Sequence, residues 1–316
     1  MTKLHHRTSS RLAASLLAGW LGVHGCRSDN PEFDSESSDA LFETVRLNAQ
    51  GTPGLEIVAE IDHARLAAEA GAAMPPARVL LVSDPAIEAA LLASSPLAGL
   101  DLPIRLLAYV DPSDSKARLV VNSLSSIAQR HGLAFDANVV EAWNDRVALL
   151  LAGVDPSLID ELPAVAPDAD PAIVTLDSAY GFTETWSRLL EAITSQSDTI
   201  VFAELDLSSR ARPRGVDLAP TSLILFGAPR PGGRCMANAP LLGLDGFCQK
   251  LLIWEGADGV VHASFNDLLA LAARQRIEPP LALRHVNRRI RDTLETAISA
   301  VSYDATTQTA PSVPAK

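Results

Sequence analysis

His63 follows Asp62 at the end of a predicted strand. An imidazole there could act as a general base or a ligand, or it could simply close the strand. Its second-copy counterpart, introduced below, is Leu207, whereas Asp62 recurs as Asp206, so a shared role in capping the following turn suits the aspartates. Asp101 and Asp245 lie in matched Gly-Leu-Asp turns. Such carboxylates commonly bind nearby backbone N–H groups, but paired across a pseudo-twofold axis they could line one acidic pocket. Gly227-x-Pro229 followed by Gly232-Gly233 could offer backbone N–H groups to an anion, aided by Arg230 and Arg234, or be a plain loop. Cys235 and Cys248 lie 13 residues apart and could form a disulfide in an oxidising compartment. Arg284, Arg288 and Arg291, with His285 and Arg289, recur at helical spacing, as a solvated face or a docking stripe for an acidic partner or anionic headgroups.

No cofactor or metal is called for. Neither a Walker nor a dinucleotide spacing is present, nor a Cys-x-x-Cys pair, a haem-attachment run or a nucleophile-elbow serine motif. The 316 residues are 47% hydrophobic and 20% charged, enough to bury a sizeable core. A formal charge of −12 argues against general nucleic-acid binding, which needs a cationic surface.

What must position these residues is a repeat. At an offset of 144, Ala59-Glu60-Ile61-Asp62 falls on Ala203-Glu204-Leu205-Asp206, the Val79–Pro85 run on Leu223–Pro229, and Pro96–Asp101 on Pro240–Asp245. The register slips by one to pair Arg105–Tyr109 with Lys250–Trp254 and then recovers. The second copy predicts strands at 173–176, 199–205, 222–226, 250–254 and 260–265. Helices are predicted at 183–194 and 267–274, capped in the latter case by Asn266, with a short helix near 234–239. Each copy ends in an amphipathic helix, marked by Val139, Val140, Trp143, Val147 and Leu150 in the first and by Leu283, Val286, Ile290, Leu294 and Ile298 in the second. This is an α+β class: two similar domains, each a mainly antiparallel sheet with helices on one face. The first copy has Asp29-Asn30-Pro31-Glu32 where the second has a strand, so its sheet should lack one strand and leave an edge for the other copy or the linker to cover.

The run Leu225-Phe226-Gly227-Ala228-Pro229-Arg230-Pro231-Gly232-Gly233-Arg234-Cys235-Met236, with Gly243-Leu244-Asp245, Leu252–Glu255 and Phe265-Asn266-Asp267, resembles the domain of unknown function 302 family. The first copy adds Ile61–Ala64 and Leu100-Asp101-Leu102-Pro103. The resemblance implies a TATA-binding-protein-like topology and dimeric association of such domains, but no reaction. Neither copy keeps the full motif set. A site is therefore either shared between copies, for example His63 of one with the Gly227–Arg234 segment of the other, or lost from both.

Residues 1–25 read as a signal peptide: basic, then apolar over 12–23, then Val23-His24-Gly25 before Cys26, a lipobox-like end that makes Cys26 the lipidation site. Cleavage there leaves 23 basic and 38 acidic residues, a balance of −15. Residues 26–38 read as an acidic flexible tether, 39–154 as the first repeat, 155–172 as a linker, 173–301 as the second repeat and 302–316 as a disordered tail. The expected protein is a bacterial cell-envelope lipoprotein facing the periplasm or exterior. It is expected to be non-enzymatic and to bind an unknown small ligand or envelope protein between its copies. The alternative is an enzyme of unknown reaction with a composite site there.

Overall fold

The computed structural model describes residues 33–163, 165–166 and 168–300. The expected signal peptide, Cys26, most of the tether and the tail at 302–316 lie outside them.

The first repeat runs α1 (Ser35–Gly51), β1 (Glu56–Asp62), α2 (His63–Glu69), β2 (Ala77–Ser83), α3 (Pro85–Ser94), a 3-10 turn (Pro96–Asp101), β3 (Ile104–Asp111), β4 (Lys116–Val121), α4 (Leu124–His131) and α5 (Ala137–Leu150). The linker supplies β5 (Ile159–Asp160). The second repeat runs β6 (Ile173–Asp177), α6 (Phe182–Thr194), β7 (Ile200–Asp206), α7 (Leu207–Ala211), β8 (Thr221–Gly227), α8 (Pro229–Met236), α9 (Leu242–Asp245), β9 (Gln249–Glu255), β10 (Val261–Asn266), α10 (Leu268–Arg274) and α11 (Leu281–Ile298). Helix α1 starts at Ser35, ahead of the expected residue 39, because the Asp34 carboxylate caps it by accepting from the Ser37 N–H.

Each repeat builds a five-stranded sheet, ordered β1-β2-β3-β4-β5 and β6-β10-β9-β8-β7. The bulges recur at one place, between Ile57 and Ala59 and between Val201 and Ala203. The fifth strands differ. In the second sheet β6 closes the β10 edge antiparallel. In the first sheet β5 from the linker pairs parallel with β4 at the corresponding edge.

Alternation along the strands assigns the two faces of each sheet. In β8, Ile224 and Phe226 join the core shared with α6 and α11, while Leu223 and Leu225 join a core that is mainly first-repeat. Leu252 of β9 faces the same way as Leu223, and Leu251 and Ile253 the other. Each sheet thus packs its own helices on one face and the other repeat on the second. That is why β2, β3, β8 and β9 are buried almost throughout.

Candidate functional site

Two elements of each repeat cross the interface. Helix α2 packs on α8, and its repeat counterpart α7 packs on α3. The 3-10 turn of the first repeat reaches β8, β9 and β10, while α9 reaches β2 and β3. The glycines of these turns sit where close approach demands them. A Cβ on Gly99 would meet Leu252 at 2.7 Å and Leu207 at 3.2 Å, and one on Gly243 would meet His63 and Leu107 at 3.1 and 3.3 Å. His63 and Leu207 are therefore equivalent plugs.

This placement corrects the reading of His63 as a base or ligand. The ring is buried, with Nε2 3.3 Å from the Gly243 carbonyl oxygen. Burial lowers its pKa to about 4, so it is neutral near pH 7. His63 does meet Gly227, Pro229 and Gly232 across the interface, beside Cys248, around a void of about 20 Å³. Burial pushes the Cys248 thiol up to about 11, which ill suits it to nucleophilic attack. Asp62 and Asp206 cap α2 and α7, accepting from the N–H groups of Arg65 and Ser209 at 2.9 and 2.8 Å.

The glycine segment is not an anion loop. Pro229–Met236 is helix α8, starting earlier than the short helix expected near 234–239. Gly232 lies against the Phe247 ring, 3.0 Å from where its Cβ would be, and Gly233 against Ala67, at 2.4 Å. The two glycines therefore serve packing. Arg234 instead points to the cavity of the second repeat described below. Cys235 and Cys248 are free, buried thiols, not a disulfide. They belong to separate hydrophobic clusters, Cys235 with α10 and α11 and Cys248 with the interface core. Asn266 does not cap α10; Asp267 does, accepting from Leu269 N and Ala270 N.

Asp101 and Asp245 are brought together, as the pseudo-twofold reading allowed, but by a cation rather than in an acidic pocket. Arg105, on β3, reaches both: Nη2 lies 3.2 Å from Asp101 Oδ1 and pairs closely with Asp245 Oδ1. Repeat-related pairs surround them: Arg105 and Lys250, Asn122 and Asn266, Arg130 and Arg274, His131 and Gln275. Asn122 accepts from Arg105 N and donates to Asp101 O, tying the turn to β3. Arg130 donates to both Asp101 oxygens at 3.0 and 3.1 Å and to Asn266 Oδ1 at 2.6 Å. Its Nε donates to the Pro171 carbonyl, and Arg274 donates to the Asp170 carbonyl, so the linker is strapped over the cluster. His131 Nε2 lies 2.7 Å from Asp101 Oδ2, and Gln275 donates to Asp245 Oδ2 at 3.2 Å.

Burial alone would raise the Asp101 carboxyl, but Arg130, the His131 hydrogen bond and Arg105 outweigh it and hold it well below the usual carboxylate range. Burial, with Arg105 nearby, lowers Lys250 to about 8. Beside the cluster lies a cavity of about 50 Å³ lined by Asp101, Arg105, Asn122, Arg130, Asp245 and Gln275, among others, with Leu162, Pro163 and Val165 of the linker in its wall. Among the described residues, Arg105 Nε and Nη1 and Gln275 Oε1 are buried there without a hydrogen-bond partner. Of this constellation only the two aspartates stand out in the sequence. The others were findable as polar residues of like type recurring at the repeat offset.

A larger cavity, about 520 Å³, lies within the second repeat between α6, β8, α8 and α11. Its walls include Ile193, Phe226, Phe247, Val286, Ile290 and Leu294, and Arg230, Arg234, His285 and Arg289 also line it, with Asp198 and Gln249. Of the basic residues of α11, His285 and Arg289 line it, and Arg289 is paired with Asp198 at 2.6 Å. Among the described residues no group of His, Cys, Asp and Glu is arranged to hold a metal ion, and no helix is long and apolar enough to cross a membrane.

Fold and interface define a tandem α+β protein, two like domains closed on one another around a buried polar cluster. The chain belongs to the DUF302 family, a domain of unknown function, which matches residues 33–148 and 174–301, one stretch per repeat. It is similar to the fluoride-specific ion channel FluC 1 of Brucella suis biovar 1, at 36% identity over 120 residues, 38% of this chain and 46% of that protein. The corresponding protein of Brucella abortus biovar 1 matches at 36% over 38% of this chain and 44% of its own length. The chain thus matches less than half the length of these curated relatives. A crystal structure of an uncharacterised conserved DUF302 protein from Bacillus stearothermophilus aligns over 40% of this chain and 95% of its own, at 19% identity and a TM-score of 0.34.

Proposed function

We propose that this protein is a lipid-anchored, non-enzymatic binding module of a bacterial envelope, and that it holds a small anion between its repeats. The observation that carries the reading is Arg105: a guanidinium buried between Asp101 and Asp245, with Nε and Nη1 unpartnered, on a residue that lines a cavity. Leaving such groups unpaired costs roughly 1–3 kcal/mol, more for a charged one. Among the charged residues that line the cavity, Arg105, Arg130 and Arg274 outnumber Asp101 and Asp245 by three to two. A cavity of about 50 Å³ suits a monatomic ion or a few waters. Fluoride is the first anion to try, because the Brucella relatives are named for it.

A chain starting at Arg27 keeps every described element. Its thermal unfolding is measured in sulfate buffer titrated with fluoride, chloride and formate. A saturable rise in Tm with one of them, absent in Arg105→Lys, supports the reading. No saturable rise, or an equal rise in the lysine variant, sinks it. The anchor is supported by the basic and apolar run ending at Cys26. Acyl labelling and membrane fractionation of Cys26→Ser test it separately. A variant still labelled and still sedimenting with membranes refutes the lipobox.

A further inference from the structure

We propose that the second repeat has a binding site of its own, for a single-chain amphiphile with an anionic head, in the cavity between α6, β8, α8 and α11. At about 520 Å³ this cavity falls within the range of small-molecule sites. It shares no lining residue with the interface cluster and is of another chemistry: apolar Ile193, Phe226, Phe247, Val286, Ile290 and Leu294, with Arg230, Arg234, His285 and Arg289.

The cations carry the choice of ligand. Arg230 and Arg234 are one helical turn apart on α8, both exposed and both lining the cavity. Neither has a carboxylate partner among the described residues, although the chain carries 38 acidic residues. Arg289 is held by Asp198, so the α8 pair is the free charge. An acyl body against the wall would place its carboxylate at this pair, and an arginine can take a carboxylate with two hydrogen bonds.

The fold does not require these residues. The first repeat has Ala86 and Ala90 in place of Arg230 and Arg234. Where the second has Ala228 and Ile290 in the cavity wall, the first has Asp84 and Arg146, joined by an ion pair of 2.7 Å. The pair of arginines and the open apolar wall occur together, in one repeat only.

The test titrates dansyl-labelled undecanoate into the chain starting at Arg27 in detergent-free buffer. The expected result is saturable, blue-shifted emission, displaced by laurate and roughly tenfold less well by the uncharged dodecanol. The surface double variant R230E/R234E, shown folded by circular dichroism, should weaken binding at least about tenfold. Ile290→Trp, which fills the cavity, should abolish it. Arg105→Lys should bind the probe normally, separating this site from the interface cluster. Absence of saturable binding overturns the proposal. So does unchanged affinity in R230E/R234E, or equal displacement by dodecanol.

Discussion

Helices α3 and α8 occupy the same place in the two repeats and face opposite demands. On the α8 side, Gly233 lets the helix close on Ala67, and the contact is small and apolar. On the α3 side, Arg210 of α7 donates to Ser83 Oγ and to Glu56 at 2.7 Å and stands 3.9 Å from the buried Glu88. Glu88 is the repeat counterpart of Gly232. One duplicated backbone thus closes the pseudo-twofold interface with methyl groups on one side and with charge on the other. Backbone symmetry fixes where side chains meet, while their chemistry is free to diverge wherever both versions fill the gap.

The sharpest way to break the near-symmetry is at its centre. Arg105→Met leaves Asp101 and Asp245 buried without their shared cation, and should cost roughly 3–5 kcal/mol in urea unfolding. Lys250→Met, at the equivalent position, should cost under about 1 kcal/mol. Its ammonium is already disfavoured by burial and, among the described residues, bonds the Asp245 carbonyl alone, at 3.3 Å. Equal losses would mean that the two positions are energetically alike.

His63 and Glu88, one buried on each side of the interface, should give opposite pH slopes. His63 is lowered from 6.5 to about 4, so its contribution is full above pH 6.5 and lost as pH falls toward 4. Burial raises Glu88 from 4.5 to about 7, so its contribution is full below pH 4.5 and lost as pH rises through 7. Each effect is at most about 3 kcal/mol. In denaturation profiles from pH 4 to 8, H63L, which copies Leu207, should flatten the acid limb, and E88Q should flatten the neutral one. Retention of both slopes in the double variant would refute the assignments.

Smaller is Gly233→Ala, which copies Ala89 of the first repeat. Its Cβ would meet the Ala67 Cβ at 2.4 Å, and the strain should lower stability by about 1–3 kcal/mol. The smallest effects should be the most symmetric. D62A and D206A each remove one helix cap and should cost about 1 kcal/mol alike. A clear inequality there would show that even the shared capping positions have diverged.

Much of this architecture was legible in the repeat. Strands β1 and β7, and β2 and β8, start and end at the 144-residue offset. The fifth strand of the first sheet comes from the linker, where the second sheet uses β6 at the start of its repeat. Helix α8 was not legible, because Pro231, Gly232 and Gly233 are poor helix formers, and it is tertiary contact with Phe247 and Ala67 that favours small residues there. Arg105 and Lys250 were hidden too. A single charge within an apolar strand reads as an irregularity until its distant partners are known.

The sequence by itself determined the duplication, the class of fold and the capping aspartates, since periodicity and short-range hydrogen bonding are local properties of the chain. Only the tertiary structure decided that Asp101 and Asp245 share one arginine, that His63 is a neutral plug, that the cysteines stay apart and that Arg230 and Arg234 line a cavity of the second repeat. Those outcomes depend on tertiary packing that brings distant parts of the chain together out of water, where burial rather than sequence neighbourhood sets charge and pairing.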